Sequence, residues 1–356
     1  MRRILITGAG GSAAANFTRS LRTSVEKFFL VGTDADKYNL MRAEVDKRYL
    51  IPPISQTGYL KILNSILVKE RIDFLHAQND QEVGFISQNR EKIKAKLFLP
   101  DKTTIKICHD KYRSYQSWEK AGIKIPKTFM IKNKNDLEQA FILFQNDIWL
   151  RSIRGAGGKG SFHAEDLDTA MNWLEFKKGW GKFTASEYLP GRSVAWMSVW
   201  KNGELIVAQG RERLYWELAK ISPSGITGVT GTGRTVVDRK LDEIAMKSIL
   251  AIDGSPHGLF GVDLTYDKNH VANPTEINIG RFFTTHQFFT VAGVNMPYIY
   301  VKLGLGEDPK YKGKKLNPLK EGLLWIRGVD FTPVLTNEKE VETYVKELKK
   351  MKKQIR

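Results

Sequence analysis

Asp263 and Glu276 flank a segment, Gly261-Val262-Asp263-Leu264 followed by Thr275-Glu276-Ile277-Asn278, that reads as a β-hairpin with Asp267, Lys268 and Asn269 near its turn. In a symmetric hairpin the two acids sit opposite each other, and cross-strand partners bring their Cβ atoms to roughly 5 Å. Asn278, two residues beyond Glu276, shares its face. Two carboxylates and an amide oxygen on one patch suit a hard cation, and Arg281 just beyond them suits an anion. Mg²⁺ prefers such oxygen ligands and leaves positions open for substrate phosphates; Mn²⁺ is the alternative metal. The same residues would also serve as a charged, solvated hairpin, so the other motifs decide.

Three further features have the chemistry to hold a nucleotide. Residues 155–160 are glycine apart from Ala156 and Lys159, and glycines let backbone N–H groups approach phosphate oxygens closely. This is not a Walker loop, because no Lys-Ser/Thr pair opens a helix at the required spacing. Lys111 and Arg151 supply cations. Arg151 lies beside Trp149, Leu150 and Ile153, and a charge among such neighbours is paired or aimed into a cleft. Finally, Ser186-Glu187-Tyr188-Leu189 ends a strand. Backbone groups free at a strand end can read adenine, with Glu187 accepting from its amino group. Together the four features fit Mg-ATP.

The elements that must position these residues are legible in outline. Strand and helix alternate over the first hundred residues, with strands at 4–7, 28–32 and 72–77 and helices at 13–22, 59–69 and 81–89, which predicts a parallel, doubly wound sheet. From residue 105 the texture changes. A helix carrying Tyr115 and Trp118 stops at Gly122, and strands 128–131, 148–153 and 183–188 with helices 135–144 and 167–176 form a small α+β unit. Strands dominate 193–210 and the acidic hairpin, with a helix at 241–252 between them. Residues 337–356 read as one charged amphipathic helix.

Bulk properties narrow the partners. The chain has 356 residues, enough for two or three domains. Cys108 is its only cysteine, which excludes disulfides, thiolate zinc sites and iron–sulfur clusters within one chain. There is no apolar signal region and no bilayer-spanning run, so a cytoplasmic protein is expected. The net charge of +17 attracts polyanions, but the lysines are scattered and the dense runs carry no nucleic-acid motif, which reads as a solvated face rather than a specific nucleic-acid surface.

One motif points elsewhere. Gly8-Ala9-Gly10-Gly11-Ser12-Ala13, with Asp34 ending the second strand, fits a dinucleotide fingerprint. Any first strand–turn–helix of an open α/β sheet needs such glycines, however, for a tight turn and close helix packing.

Asp110-Lys111, residues 122–126, Arg151 with the 155–160 loop, Glu187 to Gly191, Arg211 and Arg213, Val262-Asp263, and Glu276-Ile277-Asn278 occur in an order that resembles the ATP-grasp superfamily, in its carbamoyl-phosphate-synthase-like and carboxylate–amine-ligase branches. The resemblance covers residues 1 to about 330. It implies an α/β chain with a Rossmann-like pre-ATP-grasp domain at 1–104, whose Asp80-Gln81-Glu82 element shapes the substrate side. A two-lobed α+β ATP-grasp fold would follow, its small lobe at 105–190 and its large lobe at 191–330, with the charged helix in 331–356. It further implies that Lys111, Arg151 and Lys159 contact ATP, that Glu187, Tyr188 and Leu189 hold adenine, that Asp263, Glu276 and Asn278 bind Mg²⁺, and that Arg213 and Arg281 steady the transferring group. Arg151 stands where many members carry lysine, and Ser193 where a ribose-binding acid is common. The activity implied is activation of a small-molecule carboxylate as an acyl phosphate for attack by an amine, releasing ADP and phosphate. Bicarbonate or carbamate phosphorylation is the alternative within that branch, a dinucleotide-binding oxidoreductase the alternative outside it, and a homodimer is in keeping with the family.

Overall fold

The computed structural model describes residues 1–155, 158, 160–222, 224–225, 229–328, 331–332 and 334–355. Strands β1 (Arg2–Thr7), β2 (Phe28–Asp34), β3 (Lys47–Leu50) and β4 (Phe74–His76) form a parallel sheet in the order β3-β2-β1-β4. Residues 4–7 of β1 are all buried, as a parallel strand covered on both faces requires. The chain order reverses between β1 and β4, and such a reversal opens a crevice beyond the strands' carboxyl ends. Gly8, Gly11, Gln78 and Asn79 line it.

The glycine turn after β1 is a packing device. Gly8 adopts φ +57°, and a Cβ on Gly10 would lie 2.0 Å from the Asn39 carbonyl oxygen. The Asp34 carboxylate accepts from the amides of Gly10 and Asp36, both at 3.0 Å. It closes its own turn, which is a different job from holding a ribose.

Strands β5 (Thr128–Ile131), β6 (Ile148–Ser152), β7 (Ser161–Ala164) and β8 (Phe183–Glu187) make an antiparallel sheet in the order β5-β8-β6-β7. Helices Lys134–Leu143 and Leu167–Phe176, capped by Asn133 and Asp166, cover one face. Ile148 and Leu150 join that core with Leu137, Phe141 and Leu174. Alternation along β6 therefore turns Trp149 and Arg151 to the opposite face, towards a cleft.

The third sheet holds β9 (Ser193–Lys201), β10 (Glu204–Trp216), β11 (Thr230–Val236), β12 (Gly258–Tyr266), β13 (Ala272–Ile279) and β14 (Leu324–Ile326), in the order β13-β12-β9-β10-β11-β14. β10 runs past the expected end at residue 210, which brings Arg211 and Arg213 into the sheet. Helix Arg239–Leu250 packs on it, and the helix Lys111–Lys120 is pinned there by Trp118, which is fully buried and donates from Nε1 to the Ser248 carbonyl at 2.9 Å. The charged helix Glu338–Gln354, capped by Asn337, returns to the first sheet: Glu342 pairs with Lys37, Glu347 with Lys69, and Met351 joins the core of Tyr49 and Tyr59. Among the described residues no helix is long and apolar enough to cross a membrane.

Because Trp118 anchors the helix that begins at Lys111, Trp118→Ala is expected to cost about 3–5 kcal/mol. Urea unfolding of the two proteins measures this, and an unchanged midpoint contradicts the anchoring role.

Candidate active site

The β12–β13 register pairs Asp263 with Glu276 and Gly261 with Asn278. Hairpin symmetry is broken by one residue: Leu264 pairs with Pro274, so Thr275 is bulged. At the turn, Asp267 accepts from the amides of Asn269 and Val271, both at 2.9 Å. The turn-side pairs run Tyr266–Ala272, Thr265–Asn273 and Leu264–Pro274, and unbroken they would set Asp263 against Thr275, so the bulge is what brings Glu276 opposite Asp263.

Cations from distant parts of the chain converge on these oxygens. Arg213 Nη2 lies 2.7 Å from Asp263 Oδ1, while its Nη1 donates to Ser193 Oγ at 2.7 Å. Arg151 pairs through Nη2 with Glu276 Oε2 and donates from Nη1 to the Thr275 carbonyl at 2.9 Å. Lys111 Nζ is 3.3 Å from Glu276 Oε1 and donates to the Gly155 carbonyl at 2.6 Å. Arg281 donates to Asn278 Oδ1 at 2.6 Å and clasps Asp80 with both Nε and Nη2. Burial alone would raise the Glu276 carboxyl, yet Lys111, Arg151 and Arg281 hold it down to about 2. Burial lowers Lys111, and Arg151 adds to that against the pull of Glu276.

These side chains line one cleft of about 880 Å³ between the three sheets. At the small-lobe end stand Trp149, Thr184, Ser186, Glu187, Tyr188 and Leu189. The Tyr188 ring stacks on His163 at 3.9 Å. One expectation needs correcting: the Glu187 amide is not free, because it donates to the Lys127 carbonyl at 3.1 Å. Lys159 lies outside the described residues. His286, which follows Arg281 in the chain, is fully buried and bonded to the Phe283 carbonyl, a structural position.

The structure thus brings together Lys111, Arg151, Glu187, Tyr188, Leu189, Arg213, Asp263, Glu276, Asn278 and Arg281. Sequence reasoning missed Asp80 as the partner of Arg281, and it gave no role to Arg211. Arg211 was findable, because it alternates with Arg213 on the same strand face.

The donor set fits a divalent cation. Two carboxylates and an amide are all hard oxygen ligands. A carboxylate has about four acceptor positions, and the side chain of Asp263 spends one described bond, on Arg213. Acceptor capacity therefore remains on the acidic pair.

Glu276 is 15% exposed in its side chain and held between two cations. Replacing it by glutamine leaves Lys111 and Arg151 facing each other, which is expected to cost about 2–3 kcal/mol at neutral pH. Its pKa is depressed from 4.5 to about 2, so its contribution is complete above about 4.5 and disappears as pH falls towards 2. Denaturation at a series of pH values should show that decline flattened in Glu276→Gln. Equal slopes for both proteins would contradict the pairing.

Two family models match the sequence. One, for the N-terminal domain of PylC-like proteins, covers residues 4–97; the other, an ATP-grasp domain, covers residues 108–285, half of the chain. A search of curated proteins finds no match. Among solved structures, N5-carboxyaminoimidazole synthetase from Staphylococcus aureus in complex with ADP superposes with TM-score 0.67 at 16% identity, over 86% of this chain and 78% of that one. L-amino acid ligase from Bacillus licheniformis gives TM-score 0.68 at 11% identity, over 99% and 98%. A biotin carboxylase–β-γ-ATP complex from Campylobacter jejuni gives 0.68 at 18%, over 91% and 74%. At such identities the likeness shows the fold, and it agrees with the two-part α/β architecture and with the domain match: the chain belongs to the ATP-grasp family.

Proposed function

We propose that this protein is an ATP- and Mg²⁺-dependent ligase that activates a carboxylate as an acyl phosphate and joins it to an amine, releasing ADP and phosphate. The observation that carries this reading is the cross-strand pair Asp263 and Glu276, set in one cleft with Lys111, Arg151, Arg213 and Arg281 around it. The ADP complex of the Staphylococcus aureus synthetase supports the nucleotide. The L-amino acid ligase, which matches this chain almost end to end, supports the joining of an acid to an amine.

A carboxylate resists attack by amines because its leaving group would be oxide. Phosphorylation supplies a better one, and the difficulty moves to the negative charge crowded around the transferring group. In this reading Lys111, Arg151 and Lys159 hold the phosphates, and Glu187, Tyr188 and Leu189 hold the adenine against Trp149. Asp263, Glu276 and Asn278 ligate Mg²⁺, which when bound neutralises phosphate oxygens and orients them. Arg281 is fixed by Asp80 and Asn278, and Arg213 by Ser193 and Asp263. Neither has to reorganise to face the developing charge, which is where fixed donors help most. Shielding the cleft from water protects the activated acid from hydrolysis.

The test is phosphate release from Mg-ATP over a panel of acids and amines, with mass spectrometry of the products. A product weighing acid plus amine less water is expected. Acid labelled with heavy oxygen in its carboxylate should pass label to the released phosphate. Arg281→Met should lower kcat by on the order of 10²–10³. Release that needs bicarbonate rather than an organic acid would move the protein to the carboxylase side of the family. If no nucleotide binds at all, the ligase reading is wrong.

A further inference from the structure

Among the described cations lining the cleft, all but one have a carboxylate partner. Arg151 and Lys111 have Glu276, Arg213 has Asp263, Arg281 has Asp80, and Arg154 has Asp110. Arg211 is the exception. It is 1% exposed, its Nη1 donates to Thr230 Oγ1 at 2.9 Å, and its guanidinium lies 4.8 Å over the Phe283 ring. Its Nε has no hydrogen-bond partner. Burial lowers its pKa well below the usual value, and Arg213 and Arg327 push the same way against the pull of Asp263. A charge this deep with no carboxylate bonded to it is costly, and such breaches of the packing rules collect at functional sites.

The sheet register separates Arg211 from the metal pair. Arg211 is opposite Ala195, Ala195 opposite Asp263, and Asp263 opposite Glu276, so the four lie in one row across β10, β9, β12 and β13. Strands are spaced by about 4.8 Å, which puts the backbones of Arg211 and Asp263 about 10 Å apart. Arg213 leans towards Asp263, whereas Arg211 leans away, to Thr230 on β11.

A second anion-binding element lines the same cleft. The helix Ser12–Arg22 has Gly11 at its N-cap, no side-chain cap and no acid in its first turn. Its first amides lack helical partners, and the helix dipole favours negative charge there. Gly11, Ser12, Ala13 and Ala14 line the cleft. The helix is tied to the bed of Arg211: Asn16 Nδ2 donates to the Thr284 carbonyl at 2.5 Å, next to Phe283.

We propose that the acid substrate carries a second anionic group, a carboxylate or a phosphate, held by Arg211 and the uncapped N-terminus of helix Ser12–Arg22, apart from the carboxylate that reacts beside Asp263 and Glu276. The reacting end rests on the ligase reading; the anion site stands on its own geometry. The substrate class is then diacids and phosphorylated acids, not simple monoacids.

Trp149 and Trp216 line the cleft and report binding by fluorescence. The full chain is titrated with succinate, adipate and inorganic phosphate, with butyrate as the monoanionic control, and separately with Mg-ATP. At least one dianion should bind more tightly than butyrate, with phosphate and the dicarboxylates distinguishing the two chemistries. Arg211→Gln should weaken that binding about 10- to 100-fold, the loss of a charged hydrogen-bonded pair, and leave Mg-ATP affinity where it was. Arg211→Met should unfold at the same or a higher urea concentration than the parent, since it removes an uncompensated charge; a merely structural arginine would give a lower one. Butyrate binding as tightly as every dianion, or a dianion preference that survives Arg211→Gln, overturns the proposal. Dianion binding without Mg-ATP binding would sink the ligase reading and keep the anion site, and the converse result would do the opposite.

Discussion

Two like charges facing each other across an antiparallel pair repel, and the rest of this site is arranged around that repulsion. Asp263 and Glu276 are fixed opposite each other by the β12–β13 register, so neither can retreat without shifting a strand. The compensating cations come from every part of the molecule. Lys111 opens a helix that follows the first sheet, Arg151 stands in the second sheet, and Arg213 in the third. Arg281 closes the ring and carries the balance back to Asp80, at the start of the helix Asp80–Gln88 in the N-terminal unit. One electrostatic requirement therefore couples three sheets. In water each pair would be worth little; half-buried between lobes, they are screened less and bind the lobes more firmly.

The scaffold makes such convergence precise at small cost. Period-two alternation delivers Trp149 and Arg151 from β6, Arg211 and Arg213 from β10, and Glu276 and Asn278 from β13, each as a neighbouring pair on one face. The other faces carry cores that hold them: Leu150 among Leu137, Phe141 and Leu174, and Ile277 among Phe260 and Val262. Side chains mounted on packed strands keep their geometry better than side chains on loops. The parallel sheet contributes differently, through the crevice where its strand order reverses, and it is there that the uncapped helix meets the cleft.

What the sequence disclosed follows from the range of each interaction. The opposition of Asp263 and Glu276 was legible because hairpin pairing is local, although the bulge at Thr275 that completes it had no sequence signal. Helix starts were legible where an Asn or Asp capped them, as at Asn337 and Asp166. Arg151 with Glu276 and Arg281 with Asp80 are separated by 125 and 201 residues, and no local rule spans such distances. β10 was cut short because Arg211-Glu212-Arg213 interrupts its apolar pattern, although two of these three residues are buried. The short β3 and β14, and the mostly apolar helix Met296–Leu305, offered no periodic signal of their own. That the Glu187 amide is taken by the Lys127 carbonyl was hidden for the same reason as those ion pairs, its partner lying on a distant part of the chain.

Arginine at position 151, where the family resemblance would set lysine, has a physical reason in the bulge at Thr275. A bulged residue drops out of the ladder, and the Thr275 carbonyl accepts from Arg151 Nη1 while Nη2 of the same guanidinium takes Glu276. A planar fork can hold a backbone carbonyl and the next residue's carboxylate at once; an ammonium, as a single point, orients neither. Arg151 therefore ties the second sheet to the third by a directional bond as well as by charge. The same bond occupies Glu276 Oε2, an oxygen that the proposed ligase reading also assigns to the metal. The spacing of the two sheets across the cleft is thus set by one guanidinium and one extra residue in a strand.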